Sequence, residues 1–572
     1  MARWSDVTTR FTGLGCAMQR GDFYVLLAML IYFIIVLTIG FIYTKRSNSS
    51  TREYFLGGRK VGPWFTALSA EASDMSGWLL MGLPGVAYFT GASDAMWTAI
   101  GLAIGTYLNW KLVARRLRKY SVVAGDAITL PQFYSNRFHD TKNRVATVAA
   151  LIILIFFCIY VGSCFVTVGK LFNTLFGLDY RTMMVLGAII VFLYTLVGGY
   201  LSVVATDFVQ ACLMFFAILV VLIGTVVSAG GVDATAAFLQ TIPGFLSPTQ
   251  LSTPLDATGT AVAVSGLEQA VVDGVPQFGA ASPYGTVVII SGLAWGLGYF
   301  GMPHVLVRFM GIRSVAEVKQ SRIIAVVWCF ISLTCAVFIG LVGRAYIPTM
   351  FASQSTAENI FIVLSHMILP SFVCGVVVCG IFAASMSSSS SYLLVSSSSV
   401  AENIFHGVLK RDASERQIMI VARLTLIAVF LFGIFIAMDE NSSIFRIVSY
   451  AWAGLGASFG PLTLLSLYWK NANDKGALAG MVAGAVTVLV WHNLIAPLGG
   501  VWAIYELLPA FILSLVVNVI VSKATGGASD AVKAEFQAFI DSPDDAEERS
   551  LDGVLEETKD AVDDHSGELP VA

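Results

Sequence analysis

Continuous apolar runs of about 20 residues recur along most of this chain, and they constrain its fold more than any other feature. A helix needs about that length to cross a hydrocarbon core about 30 Å thick. Because the runs do not alternate with polar residues, they exclude a transmembrane β-barrel and leave membrane-spanning helices. Only 12% of the 572 residues are charged, against about 25% in soluble domains, which excludes a soluble architecture. The sequence therefore predicts an all-α polytopic membrane protein.

About thirteen transmembrane helices are predicted from these runs. Their expected ranges are 23–43, 64–90, 94–113, 145–169, 182–199, 206–229, 285–302, 322–346, 368–395, 418–437, 445–468, 476–496 and 504–522. The transmembrane domain thus covers 23–523. An N-terminal segment, 1–22, lacks the apolar stretch of a signal peptide. A long loop, 230–284, is expected to contain a short helix at 262–272. The acidic tail, 524–572, is expected to be solvated and partly disordered.

Lys and Arg residues lie in alternate loops, and this sets the expected orientation in the membrane. They fill the loops after the first, third, seventh and ninth spans, whereas Thr90–Ser93 and 230–284 contain none. Since basic loops face the cytoplasm, the N-terminal segment and the long loop are predicted outside and the tail inside. Arg3, Arg10 and Arg20 run against this rule. The expected location is the cell membrane, with the lipid bilayer as the surrounding partner.

Several classes of function are excluded by what the chain lacks. It has no basic stripe for nucleic acid, no phosphate loop, no metal-spaced cluster and no nucleophile–base string, so it is not predicted to be an enzyme. The eight cysteines show no CxxC pair and most lie inside apolar runs, where they are expected to act as small apolar residues. No obligatory protein partner is indicated.

The second span carries an aspartate where lipid disfavours one. Asp74 lies near its middle among small polar residues, and Gly77, Gly82 and Pro84 follow. A carboxylate at a helix centre costs about 2.5–3.5 kcal/mol on insertion scales, so a functional site is the default interpretation. Glycine and proline loosen the helical ladder, and the freed carbonyls and helix ends can bind ions and charged solutes. The alternative is that Asp74 makes a buried hydrogen bond that joins two helices.

The seventh span repeats this pattern of interruptions. Residues 291–303 contain four glycines and a proline in an otherwise apolar helix, and Trp295 and Tyr299 would share a face if the segment were helical. Two interrupted spans, five apart, indicate an inverted five-helix repeat with a site at the interface between the halves. Close helix packing could explain any single glycine.

The ninth span contains a run of serines, Ser387–Ser391, flanked by apolar residues on both sides. The flanks favour a continuing helix over a flexible linker, because serine hydroxyls can bond to the carbonyl four residues earlier. Hydroxyls are neutral oxygen ligands suited to a hard cation such as sodium.

Four strings together resemble the sodium/proline symporters of the sodium:solute symporter family. They are ALSAEASDMSGWLLMGLPG at Ala67–Gly85, NWKLVARRLR at Asn109–Arg118, WGLGYFGMPHVLVR at Trp295–Arg308 and VSYAWAGLGASFGP at Val448–Pro461. The resemblance covers most of residues 22–523. It implies a leucine-transporter-type fold, in which spans two to six and seven to eleven form inverted five-helix repeats. It also implies sodium-coupled import of L-proline by alternating access, with sodium as the coupling ion.

The resemblance further implies roles for individual residues. The implied sodium ligands, between spans two and nine, are the carbonyls of Ala72, Met75 and Ala384 and the hydroxyls of Ser387 and Ser388, with Asp74 needed directly or through helix geometry. The implied proline-binding residues are Ser73, Ser76, Gly77, Trp78, Gly82, Tyr160, Trp295, Tyr299 and Pro303. A half-helix N-terminus suits the proline carboxylate, and aromatic walls suit its ring and ammonium group. Arg59 and Asp207, at span edges, are expected either to affect coupling or to stabilise helix ends.

Glu71 departs from the family pattern, which has a small residue there. It stands three residues before Asp74 and would share a helix face with it. Two nearby carboxylates in a low dielectric do not both ionise freely. We therefore hypothesise that Glu71 is protonated, or pairs with an internal cation, and makes transport pH-sensitive.

Three other functions remain open from the residues alone. The same machine could carry another small solute, such as pantothenate, a monocarboxylate or a sugar. The chain could be a sodium-permeable channel, although two interrupted spans in a pseudo-repeat favour a transporter. It could be a transporter-like sensor, although the short polar tail is too small for a signalling domain.

Overall fold

The computed structural model describes residues 20–47, 50–262 and 267–544 of the chain. Helices dominate the described residues. In chain order they are α1 Arg20–Ser47, α2 Thr51–Leu56, α3 Pro63–Asp74, α4 Leu83–Thr90, α5 Ala92–Asn109, α6 Arg115–Val123, α7 Leu130–Arg137, α8 Arg144–Phe176, α9 Tyr180–Val197, α10 Tyr200–Ser228, α11 Val232–Leu239, α12 Thr286–Ala294, α13 Pro303–Gly311, α14 Val318–Tyr346, α15 Gln354–Ala357, α16 Ile360–Ile368, α17 Ser371–Ser398, α18 Glu415–Ile436, α19 Ile444–Tyr468, α20 Asp474–Val490, α21 Leu507–Ala524 and α22 Asp530–Asp541. Tighter or wider helical turns lie at Gly57–Arg59, Trp78–Gly82, Trp110–Ala114, Trp295–Gly301, Ser399–Leu409, Trp491–Ile495, Ala496–Leu498 and Gly500–Ala503.

Every predicted span falls mainly on helical residues, but the predicted count of thirteen spans is not confirmed. Within the described residues, eight helices are long and apolar enough to cross a membrane, and a ninth is formed if the bent pair Thr286–Gly301 and Pro303–Gly311 is one span. The predicted spans at 64–90 and 182–199 fall on shorter apolar helices. The first of these is short because the chain breaks in its middle.

The second span is broken directly after Asp74. Helix α3 ends there because Met75 takes a non-helical conformation, with φ −80° and ψ 63°. A π-helical turn, Trp78–Gly82, follows, and α4 then continues to Thr90. Glycine and proline in this stretch lower the stability of a regular helix, which explains why the break lies here.

The seventh span is broken in the same way. Helix α12 passes into a 3₁₀ turn, Trp295–Gly301, and α13 begins at Pro303 with a bend of 46°. Proline suits the first position of a helix, because its missing N–H would have no partner there. The tight turn of residues 295–301 and the new start at Pro303 together give this span two half-helices.

Glycines let α5 lie against the broken seventh span backbone to backbone. A Cβ atom added at Gly101 or Gly105 would lie less than 3.0 Å from backbone atoms of Gly292 or Gly296. A Cβ added at Gly296 would meet the backbone of Gly101 equally closely. No side chain separates the two segments at these points. Helix α5 therefore supports the broken seventh span by direct backbone contact.

The serine run continues a helix, as the sequence predicts. Helix α17 extends through Ser387–Ser391 to Ser398, and all five serines are buried. Four of their hydroxyls donate to carbonyls one turn earlier, including Ser391 Oγ to Ser387 O at 2.8 Å. The low-complexity run is therefore part of the core, packed against α8, α10 and α3.

The 230–284 segment forms a folded cap rather than an open loop. It contains α11 and two short antiparallel pairs, β1 Gln250–Leu251 with β4 Ser282–Pro283 and β2 Val271–Val272 with β3 Val275–Pro276. The predicted helix at 262–272 is wrong for 267–272, where β2 lies, and residues 263–266 lie outside the described residues. Glycine at position 274 and aspartate at 273, both with positive φ, favour a hairpin turn there.

The tail differs from its expected solvated state over 530–541. There it forms helix α22, in which Val532, Phe536 and Phe539 are buried. Residues 545–572 of the tail and most of the predicted N-terminal segment lie outside the described residues.

Candidate functional site

The two helix breaks meet at one hydrogen bond. The Tyr299 hydroxyl donates to Asp74 Oδ2 at 2.6 Å, joining the break of the second span to that of the seventh. The other carboxyl oxygen, Oδ1, lies 3.8 Å from His304 Nε2. All three side chains are buried, so a charge on Asp74 depends on these partners and on whatever binds beside it.

Aromatic rings enclose the space beside Asp74. The ring centroids of Trp78 and Trp295 lie 5.5 Å apart, and Tyr299 meets Trp452 edge to face at 5.0 Å. Trp452 Nε1 donates to the Trp295 carbonyl at 2.9 Å, which fixes these two rings relative to each other. A cavity of about 10 Å³ lies between these groups, lined by Asp74, Met75, Trp78, Leu102, Tyr160, Trp295, Val448 and Trp452.

Four of the oxygen atoms predicted to hold sodium, those of Ala72, Ala384, Ser387 and Ser388, lie together between α3 and α17. The Ser387 hydroxyl is 2.7 Å from the Ala72 carbonyl and 3.2 Å from the Ala384 carbonyl. The Ser388 hydroxyl lies 3.4 Å from the Ala72 carbonyl. Neutral carbonyl and hydroxyl oxygens therefore converge at the end of the broken helix, and the described residues contain no cluster of three or more His, Cys, Asp or Glu that could hold a metal ion.

The carboxylate of Asp74 makes its contacts away from this oxygen cluster. The groups beside it, Tyr299 and His304, are both on the seventh span. Met75, whose carbonyl completes the predicted ligand set, is the residue at which α3 stops being helical. The break therefore lies between the oxygen cluster and the aromatic cavity. Asp74 and Met75 line the cavity, and Ala72 faces the serines.

The predicted proline-binding residues divide into two groups. Trp78, Tyr160 and Trp295 line the aromatic cavity, and Tyr299 bonds to Asp74 at its edge. The others belong to the surrounding backbone and packing. They are Ser73, whose carbonyl accepts from Tyr392, Ser76, whose hydroxyl accepts from the Trp78 N–H, Gly77, packed on Thr167, Gly82, beside the Trp78 ring, and Pro303, which starts α13.

A second buried network lies on the same side of the second span as the serine run. The Ser69 hydroxyl donates to Asp207 Oδ2 at 2.6 Å, and Arg308 Nη2 lies 3.3 Å from the same oxygen. Arg308 also donates to the Ser391 hydroxyl. Asp207 was expected at a span edge, but this expectation is wrong. It lies inside the sixth span, because α10 begins at Tyr200 rather than at 206. The network joins the second, sixth, seventh and ninth spans.

Arg59 lies outside this network, at the start of the second span. Its guanidinium donates to Asp126 Oδ1 at 3.0 Å, to the Met310 carbonyl at 2.6 Å and to the Ala127 carbonyl at 2.8 Å. It therefore holds the end of α13 against the loop after α6.

A buried ion pair lies at the N-terminal end of α19. Lys170 Nζ lies 2.7 Å from Glu358 Oε2, and both side chains are buried. The same carboxylate accepts the N–H groups of Ile444 and Phe445, each at 3.0 Å, and the Ser443 hydroxyl at 2.8 Å. Glu358 therefore caps α19, whose first N–H groups have no partner within the helix.

Glu71 is buried one turn before Asp74. The indole N–H of Trp110 donates to Glu71 Oε1 at 3.4 Å, and no hydrogen bond reaches Oε2 from the described residues. No ion pair to Glu71 occurs in the described part of the chain. The hypothesis about its effect on pH dependence stays a prediction.

Several residues at the site were not predicted from the sequence. Lys170 and Glu358 are far apart in the chain, and neither lies in a recognisable motif. Leu102, Val448 and Trp452 line the cavity from the third and eleventh spans. Trp452 lies within the string Val448–Pro461 that carries the family resemblance, so that string contained a usable signal.

Comparison with known proteins identifies relatives over most of the chain. The model of the sodium:solute symporter family matches residues 54–484. An osmoregulated proline transporter, OpuE, of Bacillus subtilis is 40% identical over 515 residues, covering 90% of this chain and 97% of the relative. A sodium/proline symporter of Staphylococcus aureus is 41% identical over 524 residues, covering 91% and 96%.

Among solved structures, a Na⁺-coupled sialic acid symporter in a substrate-bound, outward-open state matches with a TM-score of 0.70. It is 20% identical, and the match covers 88% of this chain and 99% of that chain. At this identity the likeness concerns the fold alone. The predicted leucine-transporter-type fold is confirmed.

Proposed function

This chain belongs to the sodium:solute symporter family, and we propose that it is a sodium-coupled importer of L-proline that works by alternating access. The observation that carries the proposal is the bond between Asp74 and Tyr299, which joins the two helix breaks beside an aromatic cavity. Broken helices that meet in mid-membrane are the usual place for solute and coupling-ion sites in such folds.

Sodium binds between α3 and α17 in this proposal. The ligands are the carbonyls of Ala72, Met75 and Ala384 and the hydroxyls of Ser387 and Ser388. The convergence of Ser387 Oγ on the Ala72 and Ala384 carbonyls supports this assignment. A hard monovalent cation suits a cage of neutral oxygens. Asp74 acts through the helix break, because its carboxylate holds the seventh span by way of Tyr299 while its own backbone lies between two ligands.

Proline binds on the other side of the break. Its ring packs on Trp78, Trp295 and Tyr160, and its ammonium group faces the aromatic walls. Ser73, Ser76, Gly77, Gly82, Tyr299 and Pro303 complete the proposed proline-binding set. The cavity of about 10 Å³ has room for about one water molecule, so proline enters only when the walls move apart. The described conformation is therefore closed around the site.

The sodium gradient and the membrane potential supply the energy. One charge moving through 100 mV releases about 2.3 kcal/mol, which corresponds to roughly forty-fold accumulation at about 1.4 kcal/mol per decade. We place the N-terminus and the 230–284 cap outside and the tail in the cytoplasm, as the Lys and Arg distribution indicates. The location is the cell membrane.

Uptake of labelled proline into proteoliposomes tests the proposal directly. We expect uptake with an inward sodium gradient and little uptake when potassium replaces sodium on both sides. Uptake of another solute instead, such as pantothenate, a monocarboxylate or a sugar, would keep the coupling and discard proline. A sodium current without solute would favour a channel. Uptake indifferent to sodium would remove sodium as the coupling ion.

Removing the Tyr299 hydroxyl should weaken sodium coupling. In Tyr299→Phe, Asp74 loses its bonded partner, and hydrogen bonds to charged groups contribute about 1.5–3 kcal/mol. We expect the sodium concentration for half-maximal proline uptake to rise roughly tenfold or more, since about 1.4 kcal/mol is a factor of ten. Tyr180→Phe is the matched control, because its hydroxyl also makes a buried bond, to the Ala437 carbonyl at 2.9 Å, but far from Asp74. Equal sodium dependence in the two variants would contradict the assignment.

A further inference from the structure

Helix α22 of the tail buries one side and exposes the other. Val532, Phe536 and Phe539 are 3%, 7% and 2% exposed, and their spacing of four and three residues forms a single stripe. Gln537 and Ala538, on the other side, are exposed. A tail helix with an apolar stripe stays folded only if that stripe is covered, and here the transmembrane domain covers it.

The surface that receives the stripe combines aromatic and basic side chains. We call it the basic platform, formed by Arg115, Arg116, Lys119 and Tyr120 of α6, Arg137 of α7, and His139. Phe539 stacks on Tyr120 with ring centroids 4.2 Å apart and an interplanar angle of 6°. The guanidinium of Arg137 lies 4.9 Å from the Phe536 ring, and that of Arg116 lies 6.0 Å from Phe539. These are cation–π distances.

Opposite charges line the rim of the contact. Glu535 Oε2 lies 2.6 Å from His139 Nε2. Arg115 pairs with Asp544, and Lys119 donates to the Ser542 carbonyl. The acidic tail therefore matches the basic platform in charge as well as in shape, although such exposed pairs contribute little energy individually. The two phenylalanines provide the main anchor.

The basic platform is also the place where the third span meets the eleventh. Arg137 Nε donates to the Ser466 carbonyl at 3.0 Å, and Arg116 Nη1 donates to the Leu467 carbonyl at 2.7 Å. The Tyr468 hydroxyl in turn donates to the Leu112 carbonyl at 2.8 Å. Arg137 and Arg116, whose guanidinium groups lie at cation–π distance from Phe536 and Phe539, thus also bond to the C-terminal end of α19. Helix α22 covers a joint between spans, not the surface of one helix.

We propose that α22 is an intramolecular latch, which holds this joint closed on the cytoplasmic side and thereby slows opening of the transporter to the inside. The third span carries the broken seventh span through backbone contact at Gly101 and Gly105. In this proposal, inward opening moves α6 and α7 relative to the C-terminal end of α19. The latch binds Arg116 and Arg137, which join α6 and α7 to that end. Releasing α22 removes this restraint and leaves the sodium and proline sites unchanged. The inference rests on the proposed function for its transport readout.

Replacing the two anchors by serine tests the latch. We expect Phe536→Ser with Phe539→Ser to raise the maximal rate of sodium-dependent proline uptake about fivefold or more, the lower end of typical couplings between sites. The sodium and proline concentrations for half-maximal uptake should change much less. The matched control is Gln537→Ser with Ala538→Ser, which changes the exposed side of the same helix and should transport like the wild type. A second variant, ending the chain at Ala528, should repeat the gain.

Limited trypsin digestion supplies a readout of docking that does not depend on transport. Cleavage after Lys533, within α22, should be slow in the wild type and in the exposed-side control and fast in the anchor variant. Faster cleavage with an unchanged or lower uptake rate would overturn the latch, and so would cleavage that the anchor substitutions leave unchanged. If the wild type does not import proline, the proposed function fails, and the same comparison with the solute it does carry still decides the latch.

Discussion

Asp74→Ala is expected to remove nearly all sodium-dependent proline uptake. The substitution removes the acceptor of the Tyr299 hydroxyl and the carboxylate beside His304, so the two helix breaks lose the bond that joins them. Bonds to a charged group contribute about 1.5–3 kcal/mol, and about 1.4 kcal/mol is a factor of ten, so we expect a loss of roughly a hundredfold. Initial rates of labelled proline uptake into proteoliposomes, with and without a sodium gradient, measure it.

A matched control separates this effect from the loss of any carboxylate that accepts a tyrosine hydroxyl. Asp94, which is half-buried, also accepts a tyrosine hydroxyl, that of Tyr284 at 2.5 Å, but at the start of α5. Asp94→Ala should retain sodium-dependent uptake once corrected for the amount of folded protein. Equal losses in the two variants, or strong sodium dependence in Asp74→Ala, would contradict the role proposed for Asp74.

Glu358→Ala is expected to be the most destabilising single substitution at this site. It leaves Lys170 buried without its ionic partner and leaves the N–H groups of Ile444 and Phe445 without an acceptor. Breaking a buried ion pair by removing one partner costs about 3–5 kcal/mol. The thermal midpoint of the purified protein in detergent should fall clearly, and its rate of inactivation at a fixed temperature should rise.

A double-mutant cycle tests whether the ion pair causes this loss. Lys170→Met with Glu358→Ala should be less destabilised than the sum of the two single variants, because no unpaired buried charge remains. Asp530→Ala, which breaks the exposed pair with Lys533, should shift the midpoint little, as surface pairs contribute little energy. Additive effects of Lys170→Met and Glu358→Ala would mean that the two groups act separately.

The sequence was sufficient to place every predicted span mainly on helical residues and to locate the two breaks, although the count of thirteen spans is not confirmed. Apolar length marks a helix in lipid, and glycine, proline and an intramembrane aspartate mark where one stops. Asp74, Trp295 and Tyr299 could therefore be selected from the amino-acid sequence alone. Their hydrogen-bond partners could not, because the bond between Asp74 and Tyr299 joins residues 225 positions apart.

The sequence was less informative about ion pairs between distant residues and about the structure of the tail. Lys170 lies just beyond the predicted end of the fourth span, and Glu358 follows an ordinary polar turn, so nothing local indicates their pairing. The tail was interpreted from its acidic composition, which hid the stripe of Val532, Phe536 and Phe539. The spacing of that stripe was present in the sequence, and an amphipathic helix could have been predicted from it.

The glycine contact between α5 and the broken seventh span limits how this protein can change. In an ordinary core, a larger side chain on one helix can be offset by a smaller one on its neighbour. Gly101 and Gly105 face Gly292 and Gly296, and glycine is already the smallest residue. No compensating substitution exists on either side. The two segments can be altered only by moving whole helices apart, and that would displace the wall that carries Trp295 and Tyr299.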